Sequence, residues 1–512
     1  MTERAWSSSG EHGMRADPRL NGRINLLKSK FIQTGLVLND NLSNKQQDRD
    51  DSRVGADASL LSAPREMSRL RHCFDAIRQF GHDENKYSCD LVLWSPVVRL
   101  LPMLSNADVL SLLMSRRPWH TLPQPFYNDP DIYAADLEHI WYRDWIFVTT
   151  TAELPKRGSY ATVQIGDSSI IVVRGNKGMI RAFHNSCRHR GSRICSKENG
   201  TAPKLVCPYH QWTYDLDGRL LWARDMDDRF DATQHGLVPV HCHTVQGMVY
   251  VSLANEAPDR GVFEDQANRY LAPHDLGNLK VAYQSRIIEK ANWKLVLENN
   301  RECYHCSSNH PSLCLSFPDD PALNGADGKN SELLDKHTAR CEAAGLPGGF
   351  TLADDEQWRF ARVPLLDKAT TFTLDGQPAV NRRVGTVPFD DAGVCLFFHF
   401  PNSWNHFLTD NVTSFRVLPR GPEETELVTT WLVHADTKEG VDYDLKRLTE
   451  VWIATNDEDR RITEENQIGV NSSGYIPGPY SKLHEAGVNQ FVDWYCRFMQ
   501  RQLVGPFARA AE

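Results

Sequence analysis

Two short runs, CRHRG at Cys187–Gly191 and CPYHQW at Cys207–Trp212, each bring one cysteine and one histidine, and seventeen residues separate His189 from Cys207. Thiolates and imidazoles in such pairs bind metal, so the chain must fold in a way that brings two loops together on a rigid support. A zinc ribbon usually supplies its donors as Cys-x-x-Cys knuckles, or as two cysteines followed by two histidines. One Cys and one His per loop suits instead a binuclear [2Fe-2S] cluster, with Cys187 and Cys207 on one iron and His189 and His210 on the other. Gly191 permits a tight first loop and Pro208 stiffens the second. Arg190 and Trp212 read either as a shield for the cluster or as plain packing, and Cys195, which lies outside the spacing, reads as a core thiol.

The rest of the chain must explain what a redox group is for. At 512 residues there is room for two folded units and an extra piece. A net charge of -9, with both signs mixed along the chain, gives no basic stripe for nucleic acid. The most apolar run, LVLWSPVVRLLPML at Leu91–Leu104, is broken by Ser95, two prolines and Arg99, so no membrane span is expected. The first residues lack an apolar signal run, which points to the cytoplasm and to cysteines that serve as ligands or core thiols before disulfides. Residues 1–113 read as a poorly ordered or dispensable extension, and Met103 and Met114 also allow a later functional start. Residues 114–140 read as a lead-in helix. Residues 141–255 carry short β-branched runs separated by turn signals such as Gly166-Asp167 and Asp217-Gly218, which predicts a small antiparallel β domain holding both Cys/His loops. Residues 256–512 read as an α+β domain with strands near 282–290, 358–363, 392–400 and 426–434 and helices over 291–306 and 442–467.

A second constellation lies in that α+β domain. In LENNRECYHCSSNHPSL, Glu298, Glu302 and His305 are spaced to share one helix face. His310 falls about 140° round an ideal helix from His305, so the two can share an ion only if the helix breaks, for which CSSNHP is a plausible place. In the later helix, Leu448, Trp452, Thr455, Asp459 and Ile462 form one stripe, which turns Asp459 inward while Asp457, Glu458, Arg460 and Arg461 fall off it. An inward carboxylate needs a cation or hydrogen-bond donors; a salt bridge to arginine is one account. With two histidines to hand, the 2-His-1-carboxylate triad of a non-haem Fe(II) oxygenase, His305, His310 and Asp459, is the better one.

Together these motifs resemble one family, the Rieske non-haem iron oxygenases, or ring-hydroxylating oxygenase alpha subunits, over roughly residues 115–500. Within it, ANWKLVLENNRECYHC and ATNDEDRRITEENQIGVNSSGYIPGPYSK resemble the oxygenases of quaternary ammonium compounds most closely. The resemblance implies a Rieske [2Fe-2S] domain followed by a helix-grip catalytic domain with a mononuclear Fe(II). It gives Glu302 the role of bridge between the cluster of one subunit and the iron of the next, Asn299 a place behind the iron ligands, and the chain a homotrimeric assembly. It also implies electrons from NAD(P)H through a separate ferredoxin reductase, since no flavin or nicotinamide fingerprint is present. The implied reaction is N-demethylation, with glycine betaine as first substrate and dimethylglycine and formaldehyde as products. Proline betaine, carnitine, choline or an aromatic ring are alternatives, and an electron carrier without catalysis is the alternative of another class. A methylammonium group lacks N–H donors and is held best by aromatic faces, for which FHFPNSWNHF at Phe398–Phe407, led by Trp404, is the candidate wall.

Overall fold

The computed structural model describes residues 104–318 and 332–504. Most of the expected extension lies outside the described residues, but its last part does not. Ser105 caps a helix over Asn106–Met114, accepting from the Asp108 N–H while the Asp108 carboxylate accepts from Ser105 N–H. Val109 and Leu113 are buried in the main core, and the following Arg116 pairs with Asp493 of the C-terminal helix Ala486–Leu503. The helix thus reaches across the expected boundary at residue 113, with Val109 and Leu113 in the same core as Val488 and Phe491 of the C-terminal helix. The lead-in is also not one helix: Pro125 and Pro130 start separate short helices, Pro125–Asn128 and Pro130–Asp136.

Two antiparallel seven-stranded sheets follow. In spatial order the first comprises Ile146–Thr150, Met248–Ser252, Pro239–Val245, Ile180–His184, Ser168–Arg174, Ser159–Ile165 and Asn199–Thr201. One of its two-residue hairpins turns at Gly166-Asp167, where Gly166 has φ +51° and a Cβ would meet the Tyr142 hydroxyl at 2.1 Å. A three-stranded sheet, Leu205–Val206, Thr213–Tyr214 and Leu220–Trp222, adjoins it.

The second large sheet runs Leu279–Glu289, Glu424–His434, Val412–Gly421, Ser403–Phe407, Val394–His399, Trp358–Val363 and Gly349–Leu352. Against it lies the helix Leu445–Val470, capped by the Asp444 carboxylate, which accepts from Arg447 N–H at 2.9 Å. Asn456 fixes the rotation of this helix by donating to Thr429 Oγ1 at 2.9 Å. Leu448, Trp452 and Thr455 are buried as the stripe predicts, after which the buried face passes to Thr463 and Gln467 and leaves Ile462 half-exposed.

The sheets meet at an edge strand. Asn402 Nδ2 donates to Phe147 O at 2.8 Å while Phe147 N–H donates to Asn402 Oδ1 at 2.9 Å, and Arg416 donates to Val148 O.

Candidate metal centres and substrate cavity

The first donor set is built from two loops of matching geometry. One follows the strand Ile180–His184, and the other joins Leu205–Val206 to Thr213–Tyr214. Gly191 N–H donates to Cys187 O at 2.8 Å and Gln211 N–H to Cys207 O at 3.0 Å; Cys187 N–H donates to Ser192 O and Cys207 N–H to Trp212 O, both at 2.9 Å. Each loop closes on a left-handed residue, Gly191 at φ +75° and Gln211 at φ +62°. The first was legible as glycine, whereas the second is a glutamine that the loop holds there against about 1 kcal/mol of steric preference.

The result has two sides. Cys187 and Cys207 are buried, 3 % and 1 % exposed, while His189 and His210 face solvent with their Nδ1 atoms 3.2 Å apart. Tyr214 Oη lies 3.3 Å from Cys187 Sγ. Trp212 is buried and stacks on the His189 ring at 5.0 Å, so it serves both as packing and as a support for the imidazole. Cys195 is a buried thiol of the local core, its pKa pushed up to about 11 by burial. Paired thiols on the inner side and paired imidazoles on the outer side fit a [2Fe-2S] cluster of mixed ligation.

The second donor set departs from the expected helix. Asn292 caps a helix that runs only over Trp293–Asn300, followed by an irregular turn and the short helix Cys306–Asn309. Glu298, expected to share a face with the ligands, instead accepts from the Tyr127 and Tyr480 hydroxyls at 2.8 and 3.0 Å in the core. Glu302 and His305 lie in the turn, and His305 and His310 bracket the short helix, which lets both imidazoles face Asp459, 154 residues beyond His305.

Here the donors converge. His305 Nε2 lies 3.0 Å from His310 Nε2 and 3.2 Å from Asp459 Oδ1, and His310 Nε2 lies 3.0 Å from the same oxygen. Ligands about 2.1 Å from one ion and at right angles stand about 3.0 Å apart, so the spacing of these three atoms would suit one face of an octahedron around a single ion. The outward nitrogens are held too: His305 Nδ1 donates to Glu302 at 2.5 Å and His310 Nδ1 to Glu458 at 2.8 Å. Asn299 Nδ2 is 3.4 Å from His305 Nε2. Burial disfavours a charged His305, but hydrogen bonds to Asp459 and Glu302 outweigh it and carry its pKa up to about 10; His310 is raised in the same way. Three carboxylates around two imidazoles thus favour added positive charge, which a divalent cation supplies.

Cys306 Sγ also comes within 4.8 Å of both imidazoles, but it forms a disulfide with Cys303, whereas Asp459 keeps a carboxylate oxygen against both rings. At this one pair the order of expectation, ligands or core thiols before disulfides, is reversed; a separation of three residues across a turn is what brings the two Cα atoms to 4.9 Å. Glu458 was missed because it sits beside the stripe, where only the direction of His310 reveals its use.

Beside the triad opens a cavity of about 440 Å³ whose wall includes Phe317, Phe398, His406 and Trp452. Trp404 does not line it. That residue shares the sheet face of Phe398, its cross-strand partner, but is covered and stacks on Phe415 at 5.2 Å.

Residues 144–241 match the profile of the Rieske [2Fe-2S] domain, and residues 276–501 match that of the ring-hydroxylating alpha subunit catalytic domain. The glycine betaine monooxygenase oxygenase subunit of Chromohalobacter salexigens is 47 % identical over 83 % of this chain and 95 % of its own length. The Pseudomonas aeruginosa PAO1 protein of the same name is 44 % identical over 77 % of this chain and 92 % of its own. The crystal structure of the quaternary ammonium Rieske monooxygenase CntA superposes with a TM-score of 0.60 at 23 % identity, covering 76 % of this chain and 98 % of that one. With both donor sets, both sheets and both profiles in the same order along one polypeptide, this chain belongs to the Rieske-type ring-hydroxylating oxygenase alpha subunits.

Proposed function

We propose that this chain is the oxygenase component of a two-component Rieske monooxygenase that N-demethylates a quaternary ammonium compound, with glycine betaine as its substrate. The observation that carries this reading is 47 % identity to a glycine betaine monooxygenase oxygenase subunit across nearly all of that protein. In the proposal Cys187, His189, Cys207 and His210 hold the cluster, and His305, His310 and Asp459 hold the iron. When bound, the cluster relays single electrons and the iron activates O₂.

The side chains do the rest. Glu302 and Glu458 keep protons on the outer nitrogens of the two imidazoles, so that both Nε2 atoms present lone pairs inward. The aromatic cavity wall takes the methylammonium head without demanding an N–H donor. One N-methyl group becomes a carbinolamine, whose C–N bond then breaks with the electron pair returning to nitrogen. The sum is glycine betaine, O₂, two electrons and two protons in, and dimethylglycine, formaldehyde and water out. A separate NAD(P)H-dependent reductase supplies the electrons, and the working unit is a cytoplasmic homotrimer in which exposed His210 of one copy approaches half-buried Glu302 of another.

The test is formaldehyde release by iron-loaded protein with a surrogate reductase, NADH and air, across glycine betaine, proline betaine, carnitine and choline. Release with glycine betaine above the others supports the reading. A sound Rieske spectrum with no formaldehyde from any of them overturns the substrate class.

A further inference from the structure

Among the described residues, the cavity wall carries two cations that no acid compensates. Arg301 is 5 % exposed, and its guanidinium stands 3.9 Å from the centre of the Phe398 ring; Arg359 stands 5.2 Å from the same centre. Arg301 Nη2 donates to the neutral Gln490 side chain at 3.0 Å, and the Nε atoms of both arginines are buried without a partner. Among the described residues neither forms a salt bridge. The carboxylates in the same wall are engaged elsewhere: Glu302 with His305, Asp459 with both imidazoles, and Glu356 with Arg497 at 2.5 Å.

Such an arrangement is costly. Burial, and for Arg301 also the charge of Arg359, lowers both guanidinium pKa values, that of Arg359 to about 10. Like charges held close together, one buried and one half-buried, and without an acidic partner among the described residues are kept at the expense of folding unless an anion joins them, and a planar guanidinium suits a carboxylate best. An apolar wall would close the cavity at less cost if the ligand were only a cation.

We propose that Arg359 and Arg301 form a carboxylate subsite in this cavity, so that the site takes a zwitterionic betaine by both ends and selects against choline. The inference rests on the N-demethylase reading for the ammonium end and adds the group that recognises the acid end. Phe398, on which both guanidinium groups stand, belongs to the polar subsite and to the aromatic wall alike.

The test uses full-length, iron-loaded protein in isothermal titration calorimetry with three probes: glycine betaine, choline, and 3,3-dimethylbutyrate, the carbon analogue of betaine that keeps the carboxylate and lacks the charge on the head. Arg359→Gln should weaken glycine betaine and 3,3-dimethylbutyrate about 10- to 100-fold while leaving choline within about twofold, and Arg359→Lys should recover part of the loss. Equal weakening of choline, or no change for the two carboxylates in Arg359→Gln and in Arg301→Gln, overturns the subsite. If 3,3-dimethylbutyrate binds through Arg359 but no betaine is demethylated, the subsite stands and the reaction assignment falls. If glycine betaine is turned over with an unchanged KM in both Arg359→Gln and Arg301→Gln, the reverse holds.

Discussion

The two donor sets solve one problem by opposite means. The cluster loops are local: each closes on itself through its own backbone hydrogen bonds, and the thiols and imidazoles are sorted to an inner and an outer side. The triad is distributed, with two histidines from a broken helix and an aspartate from another helix 154 residues later. A local site depends on turn geometry, whereas a distributed one depends on the packing of the whole second domain.

The sharpest way to break the comparison is to remove one donor from each set. Asp459→Ala should cut iron retention in the catalytic domain and turnover by ~100-fold or more while leaving the visible spectrum of the cluster intact, and His189→Ala should do the reverse for spectrum and iron content. A loss of both centres in either variant would show that the two are not independent. Next in size, Glu302→Gln should retain both metals, as measured by iron analysis and spectrum, and lose nearly all substrate-dependent O₂ uptake; unchanged uptake would remove Glu302 from the electron path. Glu458→Gln should lower resistance to iron chelators about 10- to 100-fold with the cluster unaffected.

A smaller effect separates the core from the site. Burial raises the Glu298 carboxyl from 4.5 to about 7, with the Tyr127 and Tyr480 hydrogen bonds opposing the shift. Its folded form holds the proton more tightly than its unfolded form, so its stabilising contribution is complete below pH 4.5 and fades as pH rises through about 7, by roughly 3 kcal/mol at most. Melting temperatures of Glu298→Gln between pH 5 and 8 should therefore fall less than those of the parent; parallel curves would refute the linkage. Smallest of all, Trp404→Phe should change the KM for glycine betaine less than about twofold, since the indole packs on Phe415 and stays off the cavity wall.

How much of this was legible follows from the same contrast. Both Cys/His loops could be read because each places its donors within three residues of one another. Asp459 was legible because a carboxylate stood on an apolar stripe. The end of the helix at Asn300 was not, since nothing between Arg301 and His305 is glycine or proline, and tertiary contacts there override a continuous helical pattern. Glu458 and the two cavity arginines were invisible for a related reason: adjacent or distant sequence positions acquire meaning only from the direction of a neighbour. Phe398 and His406 were in the quoted aromatic run, but strand alternation alone does not say which end of a face is covered.

The amide of Asn402 pairs with the backbone of Phe147 as another strand would, at the free margin of the first sheet. One side chain thereby withholds a template for intermolecular β-pairing. It also ties the sheet beside the Cys/His loops to the sheet beside the His/Asp donors. At this margin the two sheets are joined through one side chain and one backbone segment, so a substitution at Asn402 would reach both donor-bearing halves at once.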